Sequence, residues 1–143
     1  MTGTRLIITT NELVAVDTNI LIYLYDITFI NKRTIAEEVL AKKPKISNQV
    51  LSEYLNVTRR LLKVPKKDLL LQTADLFSKC DIIPISYTTL ILAADLVGKY
   101  HFQLFDSIIV ASAIESNCDI LYSEDMHHGL KVNNKLTILN PFL

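Results

Sequence analysis

The feature that most constrains this chain is an alternation. Short runs rich in β-branched and apolar residues are each followed by a longer stretch with helical periodicity. The short runs are Leu13-Val14-Ala15-Val16, Lys45-Ile46-Ser47, Asp81-Ile82-Ile83-Pro84-Ile85, Ile120-Leu121-Tyr122 and Leu136-Thr137-Ile138-Leu139. Runs of this length bounded by polar or turn-forming residues read as strands buried on both faces. Strands alternating with helices make a parallel sheet with helices on both faces the economical solution, an α/β fold in three layers. Pro84 cannot donate to a ladder, so the third strand is expected at or near an edge.

The helices are expected over residues 18–25, 31–43, 48–62, 65–79, 88–100 and 105–117. Thr18 or Asn19 can cap the first, Pro44 ends the second, and Pro65 suits the first turn of the fourth. At 100° per residue, Val50, Leu51, Tyr54, Leu55, Val57, Leu61 and Leu62 share one broad apolar arc. Glu53 falls at the border of that arc, and Arg59, Asn56 and Lys63 face away. In the last helix Ile108, Ile109, Val110, Ala111, Ala113 and Ile114 surround the axis, which implies burial on most sides. Asp106 stands at its opening, where an N-cap is expected.

A chain of 143 residues, half of them hydrophobic, suits one domain over 1–143. Such a chain buries about 70% of the surface its unfolded form exposes, so no disulfide or structural zinc is required. Cys80 and Cys118 lie far apart and read as small core residues in a reducing cytosol. No apolar run approaches the ~20 residues of a membrane span, and no secretory leader is visible. A cytoplasmic protein without a membrane partner is expected. Residues 1–11 are compatible with an extra strand, an ordered arm or an expression-vector remnant. Net charge is zero but unevenly spread: residues 32–67 hold ten Lys/Arg against three acids, the remainder five against twelve. That asymmetry permits a basic surface for a polyanion beside an acidic pocket.

Four acids stand where such a pocket would form. Asp17 and Asp125 follow strands directly, while Glu53 and Asp106 sit on helices near the same sheet edge. The carboxyl ends of parallel strands are where ligands gather in open α/β sheets. Two like charges ~4 Å apart repel by roughly 4 kcal/mol at an effective dielectric near 20. Convergent acids therefore either protonate or bind cations. Oxygen-only ligands favour Mg²⁺ or Mn²⁺ over zinc, and such a site suits attack of water on a phosphodiester. Other schemes lack their parts: there is no phosphate-binding Gly-x-x-x-x-Gly-Lys loop and no Gly-x-Gly-x-x-Gly turn. His101, His127 and His128 form neither a metal spacing nor a triad, and the last two read as exposed loop residues.

Asp17-Thr18-Asn19-Ile20-Leu21, Ser52-Glu53-Tyr54, Phe105-Asp106-Ser107-Ile108-Ile109-Val110-Ala111 and Tyr122-Ser123-Glu124-Asp125-Met126 resemble the successive motifs of PIN-domain ribonucleases. More narrowly they are similar to VapC-like toxins of toxin–antitoxin pairs. The run over 123–129 and the closing Asn140-Pro141-Phe142 resemble one subgroup. The resemblance extends from Leu13 over nearly the whole chain, and no motif position is lost. It implies a PIN-like fold, a parallel sheet of about five strands in the order 3-2-1-4-5. It implies Asp17, Glu53, Asp106 and Asp125 as a catalytic quartet around one or two Mg²⁺ or Mn²⁺ ions. Asp17 and Asp106 are then the direct ligands; Glu53 and Asp125 act through water or on a second ion. Asn19 and Ser123 match supporting polar positions, and Glu124 is an extra acid whose metal binding is open. An RNA substrate, a homodimer and a cognate antitoxin peptide that fills the cleft are also implied. Lys42, Lys43, Lys45, Arg59, Arg60, Lys63, Lys66 and Lys67 are candidates for RNA phosphates. Two other readings compete with a toxin ribonuclease: a PIN-type nuclease acting in RNA processing or on DNA, and a non-catalytic PIN-fold binding module.

Overall fold

A computed structural model of the chain describes residues 12–143; the expectations for residues 1–11 lie outside the described residues. The elements are β1 (Val14–Val16), α1 (Thr18–Ile22), α2 (Ile30–Leu40), β2 (Lys45–Ser47), α3 (Asn48–Leu61), α4 (Lys66–Ser78) and β3 (Asp81–Ile83). They continue with α5 (Tyr87–Tyr100), α6 (Leu104–Glu115), β4 (Ile120–Tyr122), β5 (Lys131–Val132) and β6 (Leu136–Leu139). The sheet runs β3-β2-β1-β4-β6-β5. Its first five members are parallel, in the order that the resemblance implies, with β6 as the fifth predicted strand. The two-residue β5 was not expected; it pairs antiparallel with β6. Asn133 and Asn134 both take positive φ (50° and 55°) in the tight turn between them, where asparagine tolerates the left-handed region. The third strand is an edge strand, as expected, but Pro84 lies just past β3 and so does not itself enforce that position.

Local chemistry explains where the helices begin. The Ser47 hydroxyl accepts from the Val50 amide and starts α3 directly at the end of β2. Ser86 and Thr89 form a reciprocal capping box on α5. Two expected caps differ. Neither Thr18 nor Asn19 caps α1: Asp17 does so, its Oδ1 accepting from the Thr18 amide at 2.7 Å. Asp106 does not open α6 either; that helix starts earlier, after Gln103, and Asp106 is the third residue of its first turn. Its carboxylate is therefore released from capping, at the helix end that favours negative charge.

The core is continuous across the sheet. Ile20, Ile46, Val50, Leu96, Val110, Leu121, Leu136 and Ile138 are essentially inaccessible. The nearly all-apolar α6 is buried from Ile109 to Ile114 and packs against α5, α3, β2 and β4, which accounts for its lack of a polar face. Cys80 and Cys118 are buried free thiols. Leu61 departs from its expected place on the apolar arc and is mostly exposed. No helix among the described residues is long and apolar enough to cross a membrane.

Candidate metal site at the carboxyl edge of the sheet

Strand register assembles the floor of the site. Val16 of β1 lies opposite Tyr122 of β4, so the residues that follow, Asp17 and Ser123, emerge side by side. The backbone bond from the Asp17 amide to the Tyr122 carbonyl (2.9 Å) carries the pairing one step past the strands. Ser123 Oγ donates to Asp17 Oδ2 at 2.8 Å and accepts from the Met126 amide at 3.2 Å. Asn19 Nδ2 donates to Asp17 Oδ2 (3.3 Å) and to Asp125 Oδ2 (3.1 Å), tying the acids of two loops through one amide.

The helices supply the walls. Glu53, on the second turn of α3, accepts from Thr18 Oγ1 at 2.8 Å and from Gln49 Nε2 at 3.1 Å. Asp106 projects from the start of α6, which runs back against the sheet from the same edge. Asp17, Glu53, Asp106 and Asp125 line one cleft of ≈460 Å³, with Thr18, Asn19 and Asn56 among its polar members and Ile22, Tyr23, Phe29 and Val57 among its apolar ones.

Electrostatics bear the mark of this convergence. The Asp17 carboxyl is pushed up to about 6, chiefly by burial; its bonds from Ser123 and Thr18 pull the other way, and the negative charges of Asp106 and Glu53 add to the rise. Asp106 is also raised, by burial first and then by Glu53 and Asp125. A cation would relieve the repulsion. The donor set suits a hard divalent ion, being oxygen only, and even Asp17, which accepts three bonds, has about four lone-pair sites and so keeps one for a metal. Among the described residues no three of these acids stand close enough to form a finished ligand cage.

The other sequence candidates divide. Glu124 is turned to the far side of its loop. Its Oε1 accepts from the Tyr23 hydroxyl at 2.6 Å and its Oε2 from Lys32 Nζ. Burial pushes its carboxyl up, but these partners together hold it below its ordinary value. Lys42, Lys43 and Lys45 are not brought to the cleft. They precede or begin β2, at the amino edge of the sheet, where Lys43 pairs with Asp81 and Lys45 Nζ bonds the Ser116 carbonyl. Arg59, Arg60 and Lys63 lie at or just past the end of α3, beyond the cleft residues Asn56 and Val57. His127 and His128 are exposed, and His128 Nδ1 accepts from the Asn140 amide. Sequence reasoning missed Thr18 and Gln49 as the holders of Glu53. The i,i+4 spacing of Gln49 and Glu53 is a visible signal, whereas the Thr18 contact spans the fold.

Comparisons with known proteins bear on the fold and the family. No curated protein matches the chain. Among solved structures, a toxin–antitoxin complex from Klebsiella pneumoniae is similar, with 23% identity, a TM-score of 0.67, and coverage of 91% of this chain and 98% of that one. VapBC2 from Rickettsia felis, bound to a DNA fragment from its promoter, is 23% identical with a TM-score of 0.61, covering 90% and 98%. The Mycobacterium tuberculosis toxin VapC20, described as cleaving the sarcin–ricin loop, is 18% identical with a TM-score of 0.61, covering 78% and 89%. At these identities the likeness is one of fold. The family model described as PIN domain matches residues 14–129, spanning β1, α3, α6 and the loop after β4 that carry the four acids, and the chain belongs to that family.

Proposed function

We propose that the chain is a metal-dependent endoribonuclease that hydrolyses RNA phosphodiester bonds and acts as the toxin of a toxin–antitoxin pair. The observation that carries this reading is that Asp17, Glu53, Asp106 and Asp125 line one cleft, with the carboxyls of Asp17 and Asp106 raised by burial and by neighbouring acids. Asp17 and Asp106 would hold Mg²⁺ or Mn²⁺ directly, with Glu53 and Asp125 acting through water or on a second ion. A cation held there would supply Lewis acidity for attack of water on a phosphodiester. The protein's own part is positioning. Ser123 and Asn19 orient Asp17, Asn19 also orients Asp125, and Thr18 and Gln49 hold Glu53. Such outer contacts set the direction of a ligand's lone pairs.

Arg59, Arg60 and Lys63 extend the wall of the cleft with positive charge for neighbouring phosphates. An adjoining hollow beside Tyr25, Ile27, Leu61 and Leu62, with Ile27 and Leu61 largely exposed, suits an apolar antitoxin segment. The toxin reading draws on the fold it shares with toxins in complex with their antitoxins, and a homodimer belongs to the same reading. The test is RNA cleavage by the purified chain with Mn²⁺ or Mg²⁺, beside Asp17→Asn and an EDTA control. Cleavage that needs the metal and is lost in the variant is the expected result. Full activity of Asp17→Asn, or activity undiminished in excess EDTA, refutes the mechanism. Growth unaffected by induction of the chain alone refutes the toxin role.

A further inference from the structure

We infer that Glu124 is a positioning residue rather than a metal-binding acid, and that with Lys32 and Tyr23 it forms a clamp holding the Asp125 loop against Asp17. The inference rests on the nuclease reading of the cleft, and it assigns the one acid of the Ser123-Glu124-Asp125 run that the cleft does not use.

Three observations converge. First, Glu124 does not line the cleft, and both of its carboxylate oxygens are already engaged, by the hydroxyl of the cleft residue Tyr23 and by the Lys32 ammonium. Second, Lys32 is itself held in place. Its Nζ also donates to the Tyr23 hydroxyl at 3.2 Å, and it lies 4.8 Å from the Tyr23 ring centre and 5.3 Å from those of Phe29 and Phe142. The rings meet edge to face, Tyr23 with Phe29 at 5.9 Å and with Phe142 at 5.0 Å. A cation over several aromatic faces is attracted to each ring's quadrupole, so the ammonium is fixed from α1, from the start of α2 and from the C-terminal segment together.

Third, the Glu124 backbone amide donates to Asn19 Oδ1 at 3.1 Å. An asparagine amide can turn end for end, and its two ends have opposite hydrogen-bonding character. With its oxygen committed to Glu124, the Asn19 nitrogen must face the acids, where it donates to both Asp17 and Asp125. The sequence of contacts is therefore aromatic cage, Lys32, Glu124 carboxylate, Glu124 amide, Asn19, and finally the two carboxylates. The Lys32–Glu124 ion pair is the link between the cage and the loop, so its loss leaves Glu124 with the Tyr23 hydroxyl alone and loosens the loop that carries Asp125.

The clamp and a metal-binding Glu124 predict opposite signs for one substitution. If Lys32 merely neutralised an acid of the metal site, Lys32→Met would add a free carboxylate, remove a nearby cation and strengthen Mn²⁺ binding. The clamp predicts weaker binding, by about tenfold as for other outer contacts to metal ligands. The experiment measures three quantities on the full chain. They are Mn²⁺ affinity by calorimetry, kcat and KM for RNA cleavage, and hydrogen exchange at the Glu124 amide without metal. For Lys32→Met we expect weaker Mn²⁺ binding, lower kcat with KM nearly unchanged, and faster exchange at that amide; Lys32→Arg should restore most of each. Glu124→Gln, which keeps a side-chain acceptor for Lys32, should retain Mn²⁺ binding. Mn²⁺ binding in Lys32→Met equal to or tighter than in the parent overturns the inference, as does loss in Glu124→Gln as complete as in Asp17→Asn. If the parent neither binds Mn²⁺ nor cleaves RNA, the nuclease reading fails. Exchange at the Glu124 amide then decides the clamp alone, and a rate unchanged by Lys32→Met refutes it.

Discussion

Replacing Asp17 by Asn is expected to make the metal-free protein more stable at neutral pH, by an amount that varies with pH in a defined way. The Asp17 side chain is almost wholly buried, and its carboxyl stands at about 6 against an ordinary 3.8, with burial as the main cause. Each unit of such a shift corresponds to about 1.4 kcal/mol, so ionised Asp17 destabilises the folded chain by about 3 kcal/mol. The sign follows from linkage. Below the unfolded value both states are protonated and the penalty is absent. As pH rises toward 6 the unfolded chain ionises while the folded one keeps its proton, so stability falls, and above 6 the full penalty remains. Asparagine carries no such charge. It does lose a carboxylate oxygen that accepts from Ser123 and Asn19, at about 1 kcal/mol at every pH. The variant should thus be about 2 kcal/mol more stable at pH 8, slightly less stable near pH 4, and should cross the parent between. Urea unfolding in EDTA from pH 4 to 8 reads this directly, because slopes of about 1–3 kcal/mol per molar make the shift about 1 M at pH 8. A difference between the two proteins that does not change with pH would refute the reasoning. Mn²⁺ at about a hundred times its Kd should then stabilise the parent alone, by about 2.7 kcal/mol.

Ser123→Ala removes the donor that pulls the Asp17 carboxyl down. It should cost about 1–3 kcal/mol and move the acid limb of the pH–rate profile upward; an unmoved limb counts against the assignment. The Tyr122 hydroxyl is buried and has no hydrogen-bond partner among the described residues, so Tyr122→Phe should leave stability unchanged or raise it by up to about 1 kcal/mol. A clear loss in thermal unfolding would contradict that. Arg60→Ala should raise KM for RNA several-fold, whereas Lys43→Ala, at the opposite edge of the sheet, should leave KM unchanged; equal effects would mean that RNA does not follow the end of α3.

Much of the architecture was legible because it depends on local pattern. Short runs between helical periods identified the parallel strands, and the third does lie at an edge, although Pro84, the residue that suggested it, falls just past β3. The alternation failed only at β5, whose two residues are too short for any period and whose signal is the Asn133–Asn134 turn. The cap assignments at Asp17 and Asp106 missed for a different reason. At α1 the cap is Asp17, one residue ahead of both candidates, and α6 begins after Gln103 with no side-chain cap, so neither boundary fell at the residue whose type suggested it.

The sequence by itself determined the alternating fold and brought Asp17, Glu53, Asp106 and Asp125 to one edge, because strand and helix directions follow from periodicity and connection length alone. It could not decide which side chains meet there. Ser123 reaches Asp17 across 106 positions and Thr18 reaches Glu53 across 35. Both contacts depend on strand register and helix packing, and a one-residue slip of register would turn Ser123 to the other face. The same tertiary placement turned Glu124 toward Lys32 and left Lys42, Lys43 and Lys45 at the amino edge. Charge counted along a chain carries no direction until the backbone has set where each charge points.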